Sequence, residues 1–190
     1  MLDSAPNGLG SGVKSGVKSR VKAVWRTLRK LTRPRSNVRS VSVYYVSRAY
    51  YVATLYGSEG GDPCVGVGPV AKVERHDQTA SLGEAIRTGL AQCRYDFPFP
   101  SSPEAWKNVP SPILGATGFK TWVALAKRAN TLRIDQEGPT IKISPAARGP
   151  KQAFYPVAER NLSLESPSDA ELGRAVMAEL DFARAAEGPA

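Results

Sequence analysis

Apolar positions in this chain follow two periods. In 82–94, Leu82, Ala85, Ile86, Leu90 and Cys93 recur at helical spacing. Ninety positions later Leu172, Ala175, Val176, Leu180 and Ala183 do the same. Aligned without a gap, the two stretches match Leu82/Leu172, Gly83/Gly173, Ala85/Ala175, Ile86/Val176, Leu90/Leu180 and Arg94/Arg184. Each predicts an amphipathic helix that buries one stripe. Ser166, Pro167 and Asp169 supply an N-cap, an initial proline and a first-turn carboxylate for the second helix, and Ser81 with Glu84 offers a capping box for the first. A glycine near a helix start costs about 1 kcal/mol relative to alanine, so its recurrence in both copies predicts close packing against a sheet.

The stretches between the helices have strand character. Val41–Val46 and Tyr50–Leu55 are rich in Val and Tyr, and Gly57, Gly60, Gly61 and Pro63 turn the chain. Val65–Val67 and Val70–Glu74 are two further short strands, separated by Gly68-Pro69. Residues 96–113 carry Pro98, Pro100, Pro103, Pro110 and Pro112 and read as a long connection. Gly118–Ala129 is helical in pattern. Leu132–Asp135 and Ile141–Ile143 form a hairpin around Glu137-Gly138-Pro139, and Phe154–Val157 and Asn161–Leu164 are weaker strands. Short strands then a helix, twice over, predict an α+β domain built as a pseudo-two-fold repeat, its antiparallel strands covered by helices that neither half could bury alone.

Charge divides the chain differently. The formal net charge is +9 over 190 residues. Residues 1–40 hold Lys14, Lys18, Arg20, Lys22, Arg26, Arg29, Lys30, Arg33, Arg35 and Arg39 against Asp3 alone, so the entire excess lies there and residues 41–190 are balanced. Within this arm Val13, Val17, Val21, Val24, Trp25, Leu28 and Leu31 share one side, a basic amphipathic helix suited to nucleic acid, an anionic membrane surface or an acidic partner, or to packing on the body. The expected organisation is a basic, flexible or helical arm (1–40) and one α+β domain (41–190). Two cysteines, Cys64 and Cys93, without a spacing motif, and no export signal or bilayer-length apolar run, point to the cytoplasm.

Candidate chemistry is sparse. His76 is the sole histidine, in Glu74-Arg75-His76-Asp77, and no local signature pairs it with a nucleophile. It reads as a residue near a helix start. Metal spacing is absent, and neither the glycines of 57–61 nor Gly66-Val67-Gly68 complete a phosphate or dinucleotide loop. No cofactor is implied, and the expected activity is binding rather than catalysis. Two mixed groups could form a binding surface: Tyr44, Tyr45 and Tyr51 with Arg48, and Trp106, Lys120 and Trp122. Such residues anchor protein interfaces and also stack on single-stranded bases.

An ordered set of motifs resembles one family. Val43-Tyr44-Tyr45-Val46, Tyr50-Tyr51-Val52, Leu82-Gly83-Glu84-Ala85-Ile86, Gly118-Phe119-Lys120-Thr121-Trp122 with Lys127, Ile141-Lys142-Ile143-Ser144-Pro145 and Glu171-Leu172-Gly173-Arg174-Ala175 are similar to immunity proteins of bacterial contact-dependent growth inhibition systems, over about residues 41–186. The resemblance implies a Whirly-like fold and an antitoxin that occludes the active site of a cognate toxin domain, often a nuclease. Where immunity proteins facing basic nucleases are often acidic, this body is neutral and its arm basic. A single-stranded nucleic-acid binder, using the arm and an aromatic sheet face, is the alternative expectation, and a membrane-surface protein anchored by 17–31 a third.

Overall fold

The computed structural model describes residues 37–58, 61, 65–75, 79–148 and 154–186, with the side chains of 155, 156, 158 and 183–186 left aside. The arm residues 1–36, Cys64 and His76 lie outside the described residues.

β1 (Arg39–Val46) and β2 (Ala49–Thr54) form a hairpin, and β3 (Val70–Glu74) pairs antiparallel with β2. Helix α1 (Thr79–Ala91) follows. Three short helices come next: α2 (Pro103–Lys107), α3 (Pro112–Thr117) and α4 (Trp122–Ala126). β4 (Asn130–Glu137) and β5 (Thr140–Arg148) make the second hairpin. β6 (Phe154–Pro156), a 3-10 turn at Ala158–Arg160 and β7 (Leu162–Glu165) lead into α5 (Asp169–Ala186).

All seven strands share one antiparallel sheet in the order β3-β2-β1-β4-β5-β6, with β7 also on β5. β7 borders β5 at 140–143 and β6 borders it at 146–148, so the two short strands extend along one edge in succession. The central neighbours are β1 and β4, with Val43 opposite Leu132. Outward from that pair the order is the same on both sides: a hairpin partner, then a short edge strand.

Alternation along the strands sends Val41, Val43, Val52, Leu132, Ile134, Ile141 and Ile143 to one face, where α1 and α5 bury Leu82, Ile86, Leu90, Leu172, Val176 and Leu180 against them. The recurrent glycines lie where the two helices cross, rather than against the sheet as expected. A Cβ on Gly83 would fall 1.9 Å from the Asp169 carbonyl oxygen, and one on Gly173 would fall 1.8 Å from that of Thr79. Only hydrogen leaves room for two backbones at that distance. Helix-to-sheet approach instead uses Gly89, whose Cβ would meet Val41 at 2.9 Å.

Several expected boundaries shift for identifiable reasons. The cap of α5 is Ser168, two residues past Ser166: Ser168 Oγ accepts from the Glu171 N–H at 3.3 Å while Glu171 accepts from the Ser168 N–H at 2.7 Å. α1 begins at Thr79, which places Ser81 inside the helix rather than at its cap. Val65 makes an isolated bridge with Tyr56 instead of a strand 65–67. The proline-rich connection contains α2 and α3, each starting at a proline preceded by serine (Ser102, Ser111). The helix expected over 118–129 is confined to Trp122–Ala126, because Gly118 at φ 77° ends α3 and Thr121 caps α4 through Ala124 N–H.

Candidate functional site

The face of the sheet away from α1 and α5 divides into two unlike areas. Over β1 and β2, residues Tyr44, Val46, Ala49, Tyr51 and Ala53 point outward and are apolar, and Ile113 of α3, Leu125 of α4 and Ala129 pack onto them. The chain reaches this side through a connection pinned at the sheet's end, where Gly57 N–H donates to the Arg94 carbonyl and Phe97 N–H to the Gly57 carbonyl.

No helix covers the outer side of β4, β5 and β7 among the described residues. There the hairpin alternates polar with apolar, so Arg133, Asp135, Glu137, Thr140 and Lys142 face outward with Ser163 of β7. With Val38 they line a concavity of ≈ 500 Å³. Arg133 is fixed in place: its Nε donates to Asp135 Oδ1 at 2.8 Å and its Nη2 to the buried hydroxyl of Ser40 at 3.1 Å. Ser40 in turn donates to Asp135. Lys142 and Glu137 hold no ion pair within the described residues. The four charged groups of this concavity balance, two of each sign.

Exposed aromatics lie along the connection. Phe97 and Phe99 meet edge to face at 5.6 Å, and Phe99 meets Trp106 likewise at 5.8 Å. Phe99 is 38 % and Trp106 40 % exposed. Trp122, 45 % exposed, packs on Tyr44 with ring centroids 6.4 Å apart.

The residues expected at a binding surface are therefore dispersed. Tyr44 and Tyr51 are only 9 % and 5 % exposed, lying beneath α3 and α4. Burial pushes the Tyr44 hydroxyl above its ordinary pKa. An aromatic sheet face free to stack bases is thus not available at these two rings. Tyr45 turns to the opposite face, against Tyr50 and under Arg75, which donates to its hydroxyl at 3.0 Å. Arg48 is exposed in the β1–β2 turn at φ 64°, beside Ser47 at φ 53°. Lys120 is exposed next to α4, as is Trp106 on α2. Trp122 is thus brought to Tyr44, while Trp106 joins Phe99 instead.

The Ser40–Arg133–Asp135 network escaped the sequence reading. Its signal was present as the charged partners of the hairpin alternation: Arg133, Asp135 and Lys142 between Leu132, Ile134, Ile141 and Ile143. Cys93 is a partly buried free thiol. Its thiol donates to the Leu55 carbonyl at 3.0 Å, and burial raises its pKa above the ordinary value. His76 and the arm lysines and arginines lie outside the described residues.

Among the described residues, no helix is long and apolar enough to cross a membrane. Solved structures share the fold, among them the following two. A protein of unknown function from Neisseria meningitidis, NMB0488, superposes with a TM-score of 0.61 at 20 % identity, covering 78 % of this chain and 97 % of its own. A structure described as a CdiA-CT/CdiI toxin and immunity complex from Yersinia pseudotuberculosis gives a TM-score of 0.60 at 19 % identity, covering 78 % and 98 %. No curated protein matches the sequence. The family model described as CdiI, CDI immunity protein, matches residues 39–183, from the first strand of the sheet into the last helix, and the chain belongs to that family.

Proposed function

We propose that this protein neutralises a cognate toxin domain by binding it and covering its active site, without chemistry of its own. The supporting observation is the family match over 39–183, which takes in both hairpins and both long helices. The toxin is a nuclease in this reading, and the complex forms in the cytoplasm. Residues 41–190 act as a single immunity domain and residues 1–40 as a basic arm peripheral to inhibition. The halves are variants of one strands-then-helix unit in a Whirly-like arrangement, supported by the matching strand order on either side of β1–β4 and by the ninety-residue offset that relates Gly83 to Gly173 and Thr79 to Asp169. Of the anchors expected from sequence, Tyr45, Arg48, Trp106, Lys120 and Trp122 remain candidates for contact, while Tyr44 and Tyr51 act by shaping the surface above them.

A stable complex of this kind buries roughly 1,200–2,000 Å² in total. Co-expression with the toxin domain encoded beside the chain's own gene tests the reading: cells survive with the full chain and with a variant lacking residues 1–36. Toxicity undiminished by the full chain overturns it. Loss of protection only on removal of 1–36 relocates the interface to the arm.

A second reading rests on the arm alone. Ten basic residues within 1–40 favour nucleic acid. Titration with a labelled single-stranded oligonucleotide at two salt concentrations checks it, since phosphate contacts weaken steeply with salt, and absence of binding at low salt removes it.

A further inference from the structure

The outward side of α4 and the residues flanking it mix apolar and cationic groups. Leu125 and Ala126 are buried in the cover over β1 and β2, yet Trp122 is 45 % and Val123 51 % exposed in the first turn of the same helix. Lys127 lies one turn beyond Val123, its N–H donating to the Val123 carbonyl at 3.1 Å, so the two side chains share one side. Lys120 is exposed just before the Thr121 cap, and Arg128 is exposed just after the helix, its guanidinium 6.0 Å from the centre of the Phe119 ring. Lys120, Lys127 and Arg128 hold no ion pair among the described residues. Between Glu104 and Asp135 the sequence carries no acidic residue, so these cations have no carboxylate neighbour along the chain.

We propose that this α4 patch docks against an acidic face of the toxin domain: Trp122 and Val123 enter an apolar depression there, and carboxylates around its rim meet Lys120, Lys127 and Arg128. The proposal rests on the immunity reading above.

The charge of the patch fixes the sign of its occupant. Exposed cations without carboxylate partners complement a carboxylate-bearing surface. The chain's own arm carries the same sign, ten basic residues against Asp3 within 1–40, and so supplies no complementary groups. A protein suits the patch better than a nucleic acid does. Single strands are held by aromatic platforms along a groove that follows successive phosphates, whereas α4 offers one exposed ring beside an aliphatic side chain. Apolar anchors within a polar surround are where protein interfaces take their energy. These anchors are also ordered in advance. Thr121 Oγ1 accepts from the Ala124 N–H at 3.2 Å to start the helix, and Trp122 packs on Tyr44 at 6.4 Å, so little freedom is left to lose on docking.

The test is calorimetric titration of the full chain with the catalytically inactivated toxin domain encoded beside it, comparing wild type with Val123→Asp, Lys127→Glu and Lys142→Glu. Val123 and Lys127 are exposed, and a carboxylate in a first turn suits a helix, so both patch variants keep the wild-type thermal midpoint. Lys142, exposed on β5, is the control, because its reversal changes net charge as much as that of Lys127 does. Val123→Asp and Lys127→Glu each set a carboxylate against the partner's own and weaken binding about 30-fold or more. Lys142→Glu stays within about twofold of wild type, as a surface change away from the contact does. Wild-type binding with both patch variants also within about twofold overturns the patch and leaves the immunity reading standing. An equal loss from Lys142→Glu overturns it too, since net charge alone would then set the affinity. A labelled single-stranded oligonucleotide that binds the full chain and is lost with Lys127→Glu, while toxin binding is not, reassigns the patch to nucleic acid. Wild-type self-association that Val123→Asp abolishes reassigns it to a second copy of the chain. A wild-type chain that neither binds nor protects overturns the immunity reading and this patch with it.

Discussion

Leu82, Ile86 and Leu90 on α1 and Leu172, Val176 and Leu180 on α5 hold equivalent turns and reach equivalent depth against one sheet. On the sheet's other side the corresponding regions part company. β1 and β2 present Tyr44, Val46, Tyr51 and Ala53 and lie beneath α3 and α4, whereas β4 and β5 present Arg133, Asp135 and Lys142, with no helix over them among the described residues. Between α1 and β4 the chain has enough residues to cross the outer face, so apolar side chains there have something to bury against. Over β4 and β5 the outward positions are polar. The inner face is shared, and the outer faces are unlike: one packs beneath short helices and the other presents polar side chains.

The first way to break this comparison is where the halves should be equivalent. Gly83→Ala drives a Cβ into the backbone of Asp169 and Gly173→Ala into that of Thr79, and neither backbone can rotate aside as a side chain could. Each substitution costs about 3 kcal/mol or more, at or above the upper range of overpacking. Denaturant midpoints measure it, with Gly115→Ala as control because a Cβ there meets nothing within 4 Å. A glycine pair whose two alanine variants differ widely would undo the equivalence of the crossing.

The outer faces come next. Leu125→Ala removes a fully buried side chain from the cover over β1 and β2 and costs about 2–4 kcal/mol, while Lys142→Ala on the polar half changes stability by less than about 0.5 kcal/mol. Unfolding followed by circular dichroism reads both. Similar losses from the two would mean that the polar half is as structural as the covered one.

How far these features were legible in the sequence depends on the range of the contacts that create them. Helix-period and strand-period alternation located both long helices and both hairpins, because burying one face imposes that period on any sequence. The ninety-residue match singled out Gly83 and Gly173 as places of close approach. What the glycines approach was misjudged, since only the tertiary crossing brings Thr79 and Asp169 to them. The tyrosines of β1 and β2 looked like an accessible aromatic group because the segment that covers them lies sixty to eighty residues away and its prolines hid α2 and α3. Conversely Trp106 found Phe99 rather than Trp122, a pairing set by the fold of a connection with no regular period. Ser40, Arg133 and Asp135 form a network only through the β1–β4 register, in which Ser40 faces Asp135 and Ser42 faces Arg133.

The turns sharpen the comparison at lower energy. In the second hairpin Gly138, at φ 59°, occupies a position suited to glycine, whereas the first hairpin puts Ser47 and Arg48 at φ 53° and 64°. Side chains other than glycine pay about 1–2 kcal/mol in the left-handed region, and glycine returns part of that as chain entropy. Arg48→Gly should therefore stabilise the protein by about 0.5–1 kcal/mol in thermal melts. Because Arg48 is exposed and its turn strained, a stabilised variant that loses toxin protection would place Arg48 at the interface. A destabilised one would show that the arginine side chain supports the turn.

The smallest effect separates the starts of the two long helices. α5 opens with a reciprocal cap in which Glu171 accepts from the Ser168 N–H and hydroxyl, both at 2.7 Å, and these bonds, the backbone one foremost, hold its carboxyl below the usual pKa. The first turn of α1 has no acidic residue to play that part. A depressed folded-state pKa means that the stabilisation is fully present above the unfolded value of roughly 4.3 and is lost as pH falls through the folded one. Glu171→Gln keeps the length and acceptor oxygen of the side chain but removes its charge. The wild type should exceed this variant in stability at pH 7, and the gap should close between about pH 5 and 3, which parallel melts over that range would reveal. Because Glu171 is fully exposed the gap is small, yet its disappearance in acid is specific to the capped helix, and a gap that does not vary with pH would show that the carboxylate's charge contributes nothing to the start of α5.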